Sequence, residues 1–240
     1  MKYIPLKFIN EDPSVGGADS SEDARVSTQL LERLASDVRE QLTALSSTAE
    51  PLRRADLLLQ LARALVRLEN KPEAWSTARA AFELYLAEEA WEGAVQACDI
   101  LFLSEQELSL AALGQGIWLA VTYPVDPELS VAMLQHVVDD TPPDSDGAAV
   151  AAVTAHYLVD LRAKEPQREN LLMYTNQVLA TVGRRHSGVD DQQAFEKWMA
   201  DMELNDPALF LPRLRNVVDV LVQDDWWLDR AALQAKLPGK

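Results

Sequence analysis

The amino-acid sequence predicts an all-α protein built from antiparallel helix hairpins. Among its 240 residues, leucine occurs 36 times and alanine 33 times, whereas isoleucine occurs 4 times and glycine 9 times. Leucine and alanine favour helices, and the shortage of isoleucine and glycine leaves little material for strands and tight turns. Apolar residues also recur at intervals of three or four, which is the period of a helix with one buried face.

The first predicted helix spans residues 22–46 and follows a segment rich in Pro, Gly, Ser and acidic residues. Its apolar positions, which share one helical face, are Val26, Leu30, Leu34, Val38, Leu42 and Leu45. Pro51 is expected to interrupt the pattern, which resumes from Ala55 to Leu68.

Eight further helices are predicted by the same periodicity. Asp126-Pro127 and Asp206-Pro207 each combine an N-capping carboxylate with a proline at the first helical position, which defines two of the starts. Gly114 and Gly116 are expected to permit close helix crossings rather than to form a nucleotide loop, because no strand precedes them. The predicted ranges are 73–88, 91–104, 107–122, 127–139, 147–163, 167–184, 190–203 and 207–223.

A new helix starts about every 18 or 19 residues, so consecutive helices should lie antiparallel and stack as a right-handed solenoid or a compact helical array. We expect a flexible N-terminal segment over 1–21, a helical repeat region over 22–146 and a continuous C-terminal helical region over 147–240. The positions expected to be buried between helices are Leu61, Ala62, Leu65, Ala78, Ala81, Phe82, Tyr85, Ala94 and Leu101.

Residues 55–140 resemble the tetratricopeptide repeat family, whose 34-residue unit places small residues where the two helices of a hairpin cross. The resemblance implies a TPR-like fold used for protein binding. The sequence can be aligned with the repeat unit in two registers, which place the turn between the two helices at 68–74 or at 87–94. The first places Leu58, Leu61, Ala62, Leu65, Ala74, Ala78 and Ala81 at family positions, and the second Ala81, Phe82, Tyr85, Trp91, Ala94 and Cys98.

The net charge of −16 is concentrated in one part of the chain. Residues 80–161, here called the base-free window, contain no Lys or Arg. The window should repel nucleic acids and anionic membranes and attract a basic partner, although an acidic surface can also serve solubility alone. Its fourteen acids are Glu83, Glu88, Glu89, Glu92, Asp99, Glu105, Glu107, Asp126, Glu128, Asp139, Asp140, Asp144, Asp146 and Asp160.

The cysteine content, the apolar runs and the motifs of the sequence bear on the cellular compartment and on enzyme activity. Cys98 is the single cysteine, no apolar run reaches the length of a membrane span, and charges and Pro5 interrupt any signal-like stretch. We therefore expect a cytoplasmic protein. No catalytic, cofactor or metal motif is present, so we expect no enzyme activity, no cofactor and no metal.

Two residue groups are the candidate partner-binding sites. The first lies at a predicted turn and comprises Glu88, Glu89, Trp91 and Glu92. The second comprises Asp224, Asp225, Trp226 and Trp227, whose acidic and aromatic composition is typical of a binding hot spot but also fits a plug at the end of the last helices. The N-terminal stretch 3–9 could act as an extended docking peptide.

The sequence thus favours a non-enzymatic interaction module, such as an adaptor, an assembly factor or an accessory subunit, that binds a basic protein partner. An alternative is a helical enzyme or metal-handling protein that uses His136 and His156. Each has a carboxylate four residues later, at Asp140 and Asp160, on the same helical face.

Overall fold

The computed structural model describes residues 21–45 and 50–237, and these residues form helices without any strand, as predicted. The expected flexible segment 1–21 and the docking stretch 3–9 lie outside the described residues, apart from Ser21. The helices are α1 (Ser21–Ala44), α2 (Pro51–Arg67), α3 (Lys71–Ala87), α4 (Trp91–Leu103), α5 (Ser109–Thr122), α6 (Pro127–Asp140), α7 (Asp146–Arg162), α8 (Gln167–Ser187), α9 (Gln192–Asp201), α10 (Pro207–Val222) and α11 (Arg230–Ala235).

Proline positions explain the starts of several helices. Asp126 and Asp206 act as N-caps, since their Oδ1 atoms accept hydrogen bonds from the backbone N–H groups of Glu128 and Ala208 at 2.9 and 2.8 Å. Pro51 marks the start of a new helix after α1, as the break in the pattern indicated, but it is the first residue of α2, so this helix begins before the predicted Ala55. A proline fits there, since the first helical N–H has no intrahelical acceptor to lose.

Four helices end on a glutamate in the left-handed backbone conformation, a position that usually holds glycine. These residues are Glu69, Glu89, Glu105 and Glu203, with φ between 51° and 58°. At the end of α2, the N–H of Asn70 donates to the carbonyl of Leu65 at 2.9 Å and closes the turn. The chain therefore makes tight helix ends with little glycine.

The helices form an array in which each of α1 to α8 packs against the next. Helices α2, α4, α6 and α8 contact one another in succession and form one row, and α3, α5 and α7 lie between them in the chain. Helix α10 departs from this order, because it packs back against α5 and α7. Gly114 permits this contact, since a Cβ atom there would lie 2.4 Å from Cγ2 of Val222.

The core is continuous from α2 to the residues that follow α10. One cluster of buried side chains extends from Ala55 to Leu228, so both sides of the expected boundary at 146/147 contribute to it. All nine side chains expected to be buried between helices are buried, and each of the alanines among them is fully inaccessible. Gly116 lies at a close crossing as well, where a Cβ atom would be 2.7 Å from Cβ of Cys98.

No helix in the described parts of the chain is both long and apolar enough to span a bilayer.

Candidate functional site

The base-free window lies mainly on the surface of the array, since Asp99 is the only one of its fourteen acids that is buried. Bases from outside the window neutralise five of the others. The ion pairs are Lys71 with Glu105 at 2.6 Å, Arg79 with Glu83 at 3.1 Å, Lys236 with Glu89 at 2.6 Å, Arg213 with Asp146 at 3.2 Å, and Arg168 with Asp160.

Five exposed carboxylates of the window have no ion pair or hydrogen bond among the described residues. Glu88 and Glu92 flank the turn between α3 and α4. Glu107 and Asp144 belong to the α4–α5 and α6–α7 turns, and Asp140 is the last residue of α6. All three lie at the opposite end of the antiparallel helices. The negative charge that is left without a counter-ion is therefore divided between two ends of the array.

In the first group of predicted site residues, Trp91 packs against Tyr123, the residue that follows α5. The ring of Trp91 stacks on Tyr123 with 3.9 Å between centroids and 12° between planes. Glu88 and Glu92 are exposed beside it, whereas Glu89 is paired with Lys236. Tyr123 is itself fixed, because it also contacts Trp118 edge-on and its hydroxyl donates to the carbonyl of Leu233 at 3.4 Å.

The second group lies in the C-terminal segment, defined here as residues 223–237, which runs back over α3 and α5. Trp227 meets Trp75 and Phe82 edge to face, and the guanidinium of Arg79 lies 3.9 Å from its ring centroid. The backbone N–H of Trp227 also donates to Oε1 of the buried Gln115 at 2.8 Å.

Trp226 connects the two groups of predicted residues. Its ring contacts Trp118 edge-on, and Trp118 in turn contacts the Tyr123 on which Trp91 stacks. Asp224 and Asp225 are exposed at the start of the C-terminal segment. The tryptophan pair thus packs mainly on α3 and α5 in the middle of the array, although Arg230 of α11 also lies 3.8 Å from the ring centroid of Trp226. Both rings are half-buried.

The two histidines of the alternative hypothesis are engaged by residues from other helices. His136 donates from Nε2 to Oδ1 of Asp99 at 2.7 Å, and both side chains are buried, so the expected pairing with Asp140 is wrong. His156 contacts Oγ1 of Thr175 at 2.9 Å, and burial lowers its pKa below the ordinary value. The described residues contain no group of three or more His, Cys, Asp or Glu placed to hold a metal ion.

An open apolar pocket of about 360 Å³ lies where the starts of α5 and α7 meet the end of α6 and the C-terminal half of α10. We call it the end pocket. Its walls include Leu110, Leu113, Val217, Val220 and Leu221, together with Asp140. His136 contributes to its floor, and Nδ1 of this histidine is buried without a hydrogen-bond partner. Sequence reasoning did not find this pocket, because its walls come from separate helices.

No family model matches the chain, and no curated protein or solved structure is significantly similar to it. The candidate surfaces are therefore interpreted from their own geometry.

Proposed function

We propose that this protein is a non-enzymatic, TPR-like interaction module whose base-free window binds a basic protein partner. An adaptor, an assembly factor and a stable accessory subunit all fit this role. The observation that carries the proposal is the pair of exposed carboxylates at the α3–α4 turn, Glu88 and Glu92, which have no counter-ion among the described residues.

The distribution of ion pairs supports this proposal. Bases from both flanks of the window reach five of its acids, so the fold neutralises part of the charge by itself. Glu88 and Glu92 remain unpaired on either side of one turn, and repulsion between like charges this near in the chain opposes folding. A cationic partner would remove that repulsion and would be drawn to the surface by long-range attraction.

The turn between α3 and α4 also offers an aromatic contact. Trp91 is half-buried and held against Tyr123, so its free edge is presented in one orientation. A rigid aromatic side chain beside unpaired carboxylates is a common arrangement at binding hot spots, where arginine and lysine of the partner stack on the ring.

The test begins with capture of partners on the immobilised protein at low and high salt, followed by mass spectrometry. The variant Glu88→Lys/Glu92→Lys reverses the unpaired charges without breaking the Glu89–Lys236 pair. We expect it to slow association of the captured partner at least tenfold at low salt. The difference should shrink as salt rises, because screening acts over about 8 Å at physiological ionic strength.

The matched control is Glu32→Lys/Glu40→Lys, which makes the same change in net charge on exposed positions of α1 outside the window. It should leave association nearly unchanged. A partner with an acidic contact surface, or equal slowing by both double variants, would contradict the proposal and leave the window as a device for solubility.

A further inference from the structure

The end pocket combines three features that point to a ligand. Its volume of about 360 Å³ lies within the range of small-molecule sites, and its walls are mainly leucine and valine side chains. Two of these side chains are unusually exposed for their size, Leu110 at 56% and Val220 at 71%. They extend the apolar surface from the interior of the pocket to its rim.

The residues that line the pocket carry formal charge of one sign only. Among the lining residues the only carboxylate is Asp140, and none of the lining residues is a lysine or an arginine. Asp140 has no ion pair or hydrogen bond among the described residues. Asp144 lies in the turn that also supplies Thr141 and Ser145 to the wall, and it is likewise exposed and unpaired.

We propose that the end pocket binds a small amphiphilic cation, with its apolar chain against Leu113, Val217 and Leu221 and its ammonium group beside Asp140. The apolar chain gains from leaving water, and the carboxylate selects a positive head group over a neutral or negative one. This site lies at the opposite end of the helices from Glu88 and Glu92, so it is separate from the partner surface proposed above.

The experiment compares three probes of equal chain length: octylammonium, octanol and octanoate. Each is titrated to about 10 mM into the full chain at neutral pH, since ligands this small bind weakly as a rule. Binding is followed by calorimetry and by the amide chemical shifts of Leu110, Val217 and Val220. We expect octylammonium to bind at least tenfold more tightly than octanoate, with octanol between them.

Three variants locate the site. Val217→Phe fills the pocket and should abolish binding of octylammonium. Val220→Lys places a positive charge on the exposed rim, where it cannot disturb packing. It should weaken the binding of octylammonium and strengthen the binding of octanoate. Asp140→Asn should remove most of the preference for the cation.

Glu88→Gln is the control, because it removes the same charge from an exposed and unpaired position at the far end of the array. It should leave binding unchanged. The proposal is overturned if octanoate binds as tightly as octylammonium, if Asp140→Asn and Glu88→Gln act alike, or if no probe shifts the three amides. Because none of these readouts involves the protein partner, this proposal and the proposed function can fail independently.

Discussion

The Nζ atom of Lys236 lies 2.6 Å from Oε1 of Glu89, although the two residues are 147 positions apart. This hydrogen bond raises the pKa of Lys236 above its ordinary value. This ion pair joins the C-terminal segment to the turn between α3 and α4. The same turn belongs to the surface proposed to bind a partner. A base of the chain itself therefore already occupies part of that surface.

The C-terminal segment should be held by Trp227 more than by Lys236. Trp227→Ala removes the contacts with Trp75, Phe82 and Arg79 and should lower the free energy of unfolding by about 2–3 kcal/mol, less than for a fully buried tryptophan. Lys236→Ala breaks the exposed ion pair with Glu89 and should lower the free energy of unfolding by less than about 1 kcal/mol. Urea unfolding and hydrogen exchange of the α11 amides measure the loss of stability in both variants. Equal losses would contradict the prediction that Trp227 contributes more than Lys236.

The buried Asp99–His136 pair should be sensitive to loss of one partner. Asp99→Ala leaves the Nε2–H of His136 buried without an acceptor and should lower the free energy of unfolding by about 1–3 kcal/mol. Asp144→Ala, at an exposed and unpaired carboxylate, should change stability by less than about 0.5 kcal/mol. Thermal and urea unfolding test this, and similar values for the two variants would show that the pair is dispensable.

Two glycine substitutions should have opposite effects. Gly116→Ala should destabilise the protein by about 1–3 kcal/mol, because the new Cβ atom would lie 2.7 Å from Cβ of Cys98 between α4 and α5. Gly147→Ala meets nothing closer than Oγ of Ser145 at 3.3 Å and adds a better helix former at the start of α7. It should be neutral or stabilising by up to about 1 kcal/mol. A stabilising Gly116→Ala would show that the crossing is looser than described.

Replacing a glutamate in the left-handed backbone conformation by glycine should stabilise the protein. Glu203→Gly relieves an unfavourable backbone conformation at the end of α9, at an exposed side chain, and should raise the free energy of unfolding by about 1 kcal/mol. The control Glu196→Gly lies inside the same helix and should lower it by about 1 kcal/mol. If both substitutions destabilise, the left-handed conformation at Glu203 is absent in solution.

Stability should decline in alkaline solution because of Cys98. Complete burial raises the pKa of its thiol far above the ordinary value, which is about 8.5 in an unfolded chain. Above this pH the unfolded state loses a proton that the folded state keeps, so the unfolded state binds fewer protons and stability falls by up to about 1.4 kcal/mol per pH unit.

The test for Cys98 is urea unfolding between about pH 7.5 and 9, where few unfolded tyrosines are ionised because their pKa is about 10. Cys98→Ala should remove most of the alkaline slope. An unchanged slope would mean that another group causes it. Native Cys98 should also react with a thiol reagent only as fast as the protein unfolds, since its side chain is inaccessible.

Helix positions could be read from the sequence because the apolar period and the capping residues act locally. The predicted range 91–104 corresponds to α4 at Trp91–Leu103, and the Asp-Pro pairs start α6 and α10 as expected. Helix α11 was not predicted, since six residues are too few for a periodic signal. The start of α2 was predicted at Ala55 and lies at Pro51, because a proline can be the first residue of a helix.

The candidate sites were less predictable, because they depend on contacts between distant residues. Charge segregation indicated the exposed Glu88 and Glu92, but nothing in the sequence shows that Lys236 reaches Glu89. Spacing along one helix suggested Asp140 as the partner of His136, whereas the packing of α4 against α6 supplies Asp99. The end pocket had no sequence signal, since its walls are assembled from α5, α6, α7 and α10.

The return of α10 onto α5 and α7 has a consequence for synthesis on the ribosome. The faces of α5 and α7 that α10 covers stay open to water until residues 207–222 have emerged, so a nascent chain carries an uncovered apolar surface. The contact between Trp227 and Gln115 spans 112 positions and forms only after that point. Early hairpins can fold as they appear, but the middle of the array is completed last, and a chaperone would be needed most during that interval.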